Sequence, residues 1–207
     1  IAYRENSSWD AFKIAMDANP TTPLFDPENP NLYSDFTGQE ALWNPVEELK
    51  LEQNGGETKL LDWDATVKLN LLPLLAKDGH SIHSLSTQLT FADQQSDNFD
   101  YWFRPSTSRL AMKNDYKGEA SRTYSKYRQH SLEWLGNYAM ELKGHRARAM
   151  VGYSYQYFQN SGLNAANKDF SSDGLLYNNL GSGEWAKEEG RNEMGTNKSD
   201  SKLIAFF

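Results

Sequence analysis

The sequence contains no cysteine among its 207 residues. This absence excludes a disulfide framework, a thiolate zinc site and a cysteine nucleophile. No apolar run approaches the roughly 18 residues that a membrane-spanning helix needs, so helical membrane spans are excluded as well. Positive charge is also in deficit, with a net charge of −7 and a pI of about 5.1, which argues against nucleic-acid binding.

Hydrophobic residues are scarce at 38% of the chain, below the roughly 45–50% of an average globular protein. Aromatic residues nevertheless make up 13%. Disordered chains are poor in aromatic residues, so the low share of hydrophobic residues does not indicate disorder here. The combination favours a chain that buries only alternate residues, as β-strands with one apolar face do.

Strict alternation of apolar and polar residues is the strongest pattern in the sequence. In the first such segment Leu61, Trp63 and Val67 alternate with Asp62 and Asp64. A period of two residues predicts a β-strand. The predicted strands occupy residues 59–72, 81–103, 121–142 and 145–160, and a last strand begins near residue 201.

Short turns and long loops alternate along the chain. We predict turns at 73–79 and 143–144, which create hairpins of about 59–103 and 121–160. We predict long outer loops at 19–58, 104–120 and 161–200. A short helix is expected at 9–16, with Ser7 as its N-cap.

The apolar part of each strand is only about ten residues long, which matches the ~9–11 tilted residues that cross a bilayer in a β-barrel. Trp63 and Trp134 lie near the ends of this band, as do Tyr153, Tyr155 and Tyr157, in the manner of interfacial aromatic girdles. The predicted fold is therefore all-β, with antiparallel up-and-down strands that form part of a large transmembrane barrel. A soluble, secreted β-sandwich that binds carbohydrate is the alternative, because its strands alternate too.

The predicted strands are too few for a closed outer-membrane barrel, which needs at least about eight. The chain also ends in an apolar run at residues 203–207. We therefore expect the chain to be a piece of a larger protein, and the isolated piece to be an open sheet.

Five segments, in order along the chain, resemble the SusC/RagA family of TonB-dependent outer-membrane transporters. They are NPTTPLFDP at 19–27, NPVEEL at 44–49, VGYSYQ at 151–156, LLYNNLGSG at 175–183 and LIAFF at 203–207. The resemblance implies a barrel of a bacterial outer membrane that imports glycans or peptides in Bacteroidetes. It also implies two partners, TonB and a SusD-like surface lipoprotein, that act through parts of the protein outside this chain.

Three residues are predicted to contact the transported oligosaccharide or peptide: Asn98, Asp100 and Trp102. They share the polar, lumen-facing phase of one strand, and an aromatic ring beside amide and carboxylate groups suits such a ligand. No catalytic, cofactor or metal site is predicted, and the chain is not expected to be an enzyme. Outer-membrane lipid is an expected partner, whereas nucleic acid is not.

A basic stretch is a further candidate, for lipopolysaccharide phosphates or another anionic ligand. It consists of Arg104, Arg109, Lys113, Lys117, Arg122, Lys126 and Arg128. His80 and His83 are three residues apart, which places them on opposite faces of a strand and makes a metal site a poor interpretation. The acidic pair Asp62 and Asp64 is interpreted as part of a hydrated lumen wall rather than as an acid–base pair. The acidic loop residues Glu184, Glu188 and Glu189 are interpreted as a solvated loop rather than as catalytic carboxylates.

Overall fold

The computed structural model describes residues 1–4, 9–35, 43–72, 82–142, 145–188, 190–191 and 193–207. The predicted turns at 73–79 and 143–144 lie outside the described residues. So do the Ser7 cap, His80 and Glu189. The expectations for those residues therefore stay predictions.

The described strands form one six-stranded sheet in which the strand order follows the chain order. The strands are β1 (Ala2–Arg4), β2 (Gln53–Asn70), β3 (Ile82–Arg104), β4 (Glu119–Leu142), β5 (His145–Lys168) and β6 (Met194–Phe206). β1 pairs antiparallel with β2, with Tyr3 opposite Glu57. β3 and β4 also run antiparallel: Thr87 of β3 contacts Trp134 of β4, and the later Asp93 contacts the earlier His130. The predicted all-β, antiparallel, up-and-down fold is confirmed.

The predicted loops contain more regular structure than the sequence indicates. Helix α1 (Trp9–Asp17) is where we expect it, but α2 (Pro45–Leu51) and α3 (Arg109–Lys113) lie within predicted loops. Asn44 caps α2 by accepting hydrogen bonds from the backbone of Val46 and Glu47, and Pro45 occupies the first turn. Proline fits this position because its missing N–H is not needed there.

Strand boundaries also differ from the prediction. β2 begins at Gln53 and β5 continues to Lys168, so the loops predicted at 19–58 and 161–200 are shorter than expected. β6 begins at Met194 rather than near residue 201. Between β5 and β6 the chain forms short 3₁₀ helices at Asp173–Asn178, Leu180–Ser182 and Trp185–Lys187. These strand ends lack a regular alternation of apolar and polar residues, so periodicity alone does not reveal them.

The chain divides into two compact units. Unit 1 comprises 1–58, 98–125 and 162–197, and unit 2 comprises 59–97, 126–161 and 198–207. Unit 1 has a small core of Phe103, Ala120 and Phe170, against which Leu176 and Leu180 pack.

Candidate functional site

One side of the sheet in unit 2 is apolar, and we call it the apolar face. Three contacts place residues of neighbouring strands on this side. The rings of Trp63 and Phe91 are 5.4 Å apart, those of Tyr153 and Phe206 are 5.2 Å apart, and Trp134 Nε1 donates to Thr87 Oγ1 over 2.8 Å. Its large residues are Leu61, Trp63, Val67, Leu69, Leu89, Phe91, Trp134, Tyr138, Val151 and Phe206.

These side chains are between 37 and 78% exposed, although they are large and hydrophobic. A hollow of about 370 Å³ on the same side is lined mainly by apolar groups, including Leu71, Leu85, Trp134 and Val151. Contiguous exposed apolar surface of this kind marks an interaction surface for a partner or a lipid phase. The apolar residues that alternate along the sequence therefore form one apolar face in the folded sheet.

The opposite side of unit 2, which we call the polar face, carries most of the polar residues of these strands. It also exposes Leu60, Met150, Leu203 and Phe207. A hollow of about 280 Å³ at this side is lined by polar residues, including Ser84, Asn137 and Arg148, and by apolar ones, including Ala139 and Met150. Thr66 and Thr90 hydrogen-bond across β2 and β3 at 3.1 Å. This side is suited to contact with water.

The three predicted ligand residues lie on one side of β3 within unit 1. Asp100 and Trp102 line a shallow cleft of about 290 Å³, together with Arg4, Asn54, Tyr101, Ser121 and Thr123. Asn98 is not part of this lining and donates to Ser125 Oγ over 3.4 Å. The structure thus brings two of the three residues into one cleft, and their role as ligand contacts stays a prediction.

Both predicted ligand residues of that cleft already have protein partners. Arg4 Nη2 donates to Asp100 Oδ1 over 2.8 Å. Trp102 Nε1 donates to Glu52 Oε2 over 2.9 Å, and the Arg104 guanidinium lies 4.7 Å from the Trp102 ring centroid. The Trp102 ring is therefore held in position, as a rigid stacking platform requires.

A chain of charged side chains in unit 1, the charged cluster, consists of Glu52, Arg104, Glu119, Lys168 and Glu193. Arg104 contacts Glu52 at 2.7 Å and Glu119 at 3.3 Å. Lys168 contacts Glu119 at 3.2 Å and Glu193 at 3.6 Å. The cluster joins the ends of neighbouring strands, and the sequence offers no signal for it because its members are far apart along the chain.

Burial perturbs the acidic groups around this cluster. It raises the pKa of the Glu52 carboxyl, although the Arg104 charge and the hydrogen bond from Trp102 act in the opposite direction. Burial likewise raises the pKa of Glu47, whose Oε2 is buried without a hydrogen-bond partner. For Lys168 burial lowers the pKa, but its hydrogen bond to Glu119 and the neighbouring charges outweigh burial and raise it.

The basic stretch does not form one exposed surface. Arg104 belongs to the charged cluster, and Arg109 pairs with Asp26 and donates to the Tyr33 carbonyl oxygen. Lys126 pairs with Asp97 at 3.3 Å. Its members therefore lie in separate environments.

The remaining candidates have structural partners. His83 Nδ1 lies 2.8 Å from Tyr138 Oη, and Glu184 pairs with Lys187 at 2.6 Å. Over the described ranges, no group of three or more histidine and acidic residues converges to hold a metal. No helix in that part of the chain is both long and apolar enough to cross a bilayer.

No protein-family model matches the chain, and no curated protein matches it. The resemblance to SusC/RagA transporters therefore stays a prediction.

Proposed function

We propose that the chain is a segment of an outer-membrane TonB-dependent active transporter that imports glycans or peptides. The proposal combines the SusC/RagA resemblance with the two faces of unit 2. In this interpretation the apolar face contacts bilayer lipid and the polar face lines a water-filled lumen. The segment contributes wall and lumen lining, and it carries out no chemical step.

The observation that carries the proposal is the uncovered apolar face. Leu61, Val67, Leu89 and Val151 are each about half exposed, and nothing in the described residues packs over them. In water such a surface is unfavourable by roughly 25 cal/mol per Å² of apolar area. Lipid chains would remove that cost.

The polar face supports the same interpretation. Arg148, Ser84 and Asn137 line one hollow on it, and an Arg146–Glu141 ion pair at 3.1 Å lies on the two strands that border it. Transmembrane barrels alternate lipid-facing apolar residues with lumen-facing polar residues in this way. Asn98, Asp100 and Trp102 would be the ligand contacts of the lumen side.

TonB and a SusD-like lipoprotein would be partners of the complete transporter, located in the bacterial outer membrane. The alternative, a secreted carbohydrate-binding sandwich, requires a second sheet over the apolar face. The described strands belong to one sheet. We therefore favour the transporter.

The test places a charge on each face. Val67→Arg puts a cation on the apolar face, and Ser154→Arg is the matched control on the polar face. We expect Val67→Arg to destabilise the chain folded in phosphatidylcholine vesicles by about 2–4 kcal/mol near the bilayer midplane, and the control to have little effect. Urea titrations of the vesicle-bound chain, followed by tryptophan fluorescence, measure both.

The two hypotheses differ in the absence of lipid. A transporter segment should be unfolded or aggregated in water whether or not it carries the substitution, because exposure of its apolar face to water is unfavourable. If the unsubstituted chain is a monomer that unfolds cooperatively in water, and Val67→Arg abolishes that folding, the transporter proposal is wrong and the sandwich is favoured.

A further inference from the structure

The shallow cleft of unit 1, which we call the Trp102 cleft, combines an aromatic ring with many hydrogen-bonding groups. Asn54, Ser121 and Thr123 supply an amide and two hydroxyl groups to its lining. No described residue of this lining is Val, Leu, Ile or Met. The side chains of a peptide would therefore find no aliphatic pocket in the cleft, whereas the hydroxyl groups of a ligand would find donors and acceptors.

The ring of Trp102 is fixed before any ligand binds. Its Nε1 donates to Glu52 Oε2, and the Arg104 guanidinium lies over the ring without belonging to the described cleft lining. The ring of Tyr101, which also belongs to the lining, stacks on Tyr177 at 3.9 Å between centroids. Trp102 is therefore the ring that the cleft offers to a ligand, and its fixed position lowers the cost of ordering it on binding.

The two charges of the cleft neutralise each other. Arg4 and Asp100 form an ion pair at 2.8 Å, and their side chains are 60 and 48% exposed. The pair therefore presents N–H donors and carboxylate acceptors side by side. A hydroxyl group both donates and accepts, so neighbouring hydroxyls match such a pair. A charged ligand would instead have to compete with the ion pair.

A glycine makes room for this ion pair. Gly56 lies opposite Arg4 in the register of β1 and β2, and a Cβ atom on Gly56 would lie 2.4 Å from Asp100 Oδ1. A larger residue at this position would displace the carboxylate. Glycine weakens the interior of a strand, and it often marks a place where a ligand or another backbone approaches closely.

We propose that the Trp102 cleft binds a neutral glycan, with a pyranose ring stacked on Trp102 and its hydroxyls hydrogen-bonded to Arg4 and Asp100. This inference rests on the proposed function and selects glycans over peptides as the imported substrate. A pyranose has an apolar face of C–H groups and a rim of hydroxyls, so it matches both the indole ring and the ion pair. The cleft of about 290 Å³ is close to the smallest ligand sites, roughly 300 Å³, so it would hold part of a longer glycan.

The experiment is a calorimetric titration of the detergent-solubilised chain with three neutral hexasaccharides: maltohexaose, cellohexaose and mannohexaose. We expect at least one of them to bind, and a hexapeptide of alternating alanine and serine not to bind. Trp102→Ala should weaken glycan binding about tenfold, because it removes the aromatic anchor.

A second variant is needed because Trp102→Ala also removes the hydrogen bond to Glu52. Ser121→Tyr fills the cleft and leaves that hydrogen bond in place, so it should also abolish glycan binding. The matched control is Ser131→Tyr on the polar face of unit 2, which should bind as the unsubstituted chain does. Circular dichroism checks that each variant keeps its β-sheet signal.

The selection of neutral ligands is tested at the ion pair. Asp100→Asn removes the ion-pair partner of Arg4, so it should weaken binding of the neutral glycan about tenfold and allow hexagalacturonic acid to bind. Asp62→Asn, on the polar face of unit 2, removes the same charge and should do neither. The same effect in both variants would attribute the change to net charge and contradict the role of the pair.

The outcomes separate this inference from the proposed function. No binding of any of the three hexasaccharides, or equal losses in the two tyrosine variants, would overturn the glycan site. Equal or tighter binding of the peptide would overturn the choice of glycans. The transporter proposal depends on the apolar face and would stand in each case. It fails instead if the chain is a monomer that unfolds cooperatively in water.

Discussion

A phenylalanine and an arginine that are largely buried in unit 1 have exposed counterparts in unit 2. Phe103 in unit 1 is 2% exposed, whereas Phe206 in unit 2 is 78% exposed. The side chain of Arg104 is 13% exposed and contacts two glutamates, whereas that of Arg146 is 62% exposed and has one exposed partner. All the buried hydrophobic residues among the described residues lie in unit 1, although this unit also exposes some, such as Met16 and Met194. In the described part of unit 2 no large hydrophobic residue is buried. The difference indicates that the surroundings complete unit 2.

The largest effect is expected in the core of unit 1. Phe103→Ala should destabilise this unit by about 3–5 kcal/mol, because it removes a fully buried ring and leaves a cavity. Phe206→Ala, the control in unit 2, should change the stability in detergent far less. Hydrogen exchange of the peptides from each unit measures the two effects. Equal loss of protection in both cases would remove the distinction between the units.

A similar effect is expected from the charged cluster. Arg104→Ala leaves Glu52 and Glu119 partly buried without their shared cation, and breaking such a pair costs about 3–5 kcal/mol. Arg146→Ala removes an exposed pair, which is worth about 0–1 kcal/mol. Denaturant titration of both variants checks this ratio, and similar costs would show that the cluster is not important for unit 1.

A smaller effect is expected at Asn167, which is buried and makes four hydrogen bonds. Its Nδ2 donates to the carbonyl oxygens of Leu180 and Gly183, and its Oδ1 accepts from the backbone N–H of Lys168 and Ala186.

Asn167→Ala should reduce protection of the 3₁₀ segments by about 1–3 kcal/mol, since backbone groups lose their partners. The exposed Asn160→Ala should stay within about 0.5 kcal/mol. Hydrogen exchange over residues 170–188 measures the difference, and unchanged protection in the Asn167 variant would contradict the hydrogen-bond network.

The smallest effect is a pH dependence in unit 1. Burial raises the pKa of Glu47 and Glu52 above 4.5, so folding favours their protonated forms. The resulting stabilisation is complete below the unfolded value and is lost as the pH rises through the folded pKa. Acidification from pH 7 toward 4.5 should therefore increase the hydrogen-exchange protection that these two groups give the amides around α2.

Glu47→Gln and Glu52→Gln should each weaken this pH dependence. Hydrogen exchange corrected for the intrinsic effect of pH measures it. A pH response of the α2 amides that is the same in both variants as in the unsubstituted chain would show that other groups produce it.

The sequence predicts the sheet better than its surroundings. Alternation locates the strands of unit 2 because one face is apolar and the other polar, and it places Trp63, Leu89 and Val151 on the same face. Helix α2 is not predicted, although the sequence contains the signals of a helix start. They are Asn44 as the N-cap, Pro45 at the first position and acidic residues in the first turn.

The charged cluster and the hydrogen bonds of Asn167 cannot be predicted from local patterns. Glu52 and Arg104 are 52 positions apart, and only the register of β2 and β3 brings them together. The cleft beside Asp100 and Trp102 likewise depends on Arg4 and Ser121 from other strands. Residue alternation identifies which residues share a face of one strand, whereas register decides which residues meet between strands.

The central claim is that lipid covers the apolar face, and tryptophan fluorescence tests it most directly. The chain is inserted into vesicles of phosphatidylcholine with brominated acyl chains, which quench tryptophan on contact. Trp63 and Trp134 lie on the apolar face, and the other four tryptophans, Trp9, Trp43, Trp102 and Trp185, belong to unit 1. We predict strong quenching that is largely lost in the Trp63→Phe, Trp134→Phe double variant. Quenching that is absent, or that is unchanged in the double variant, would contradict the claim.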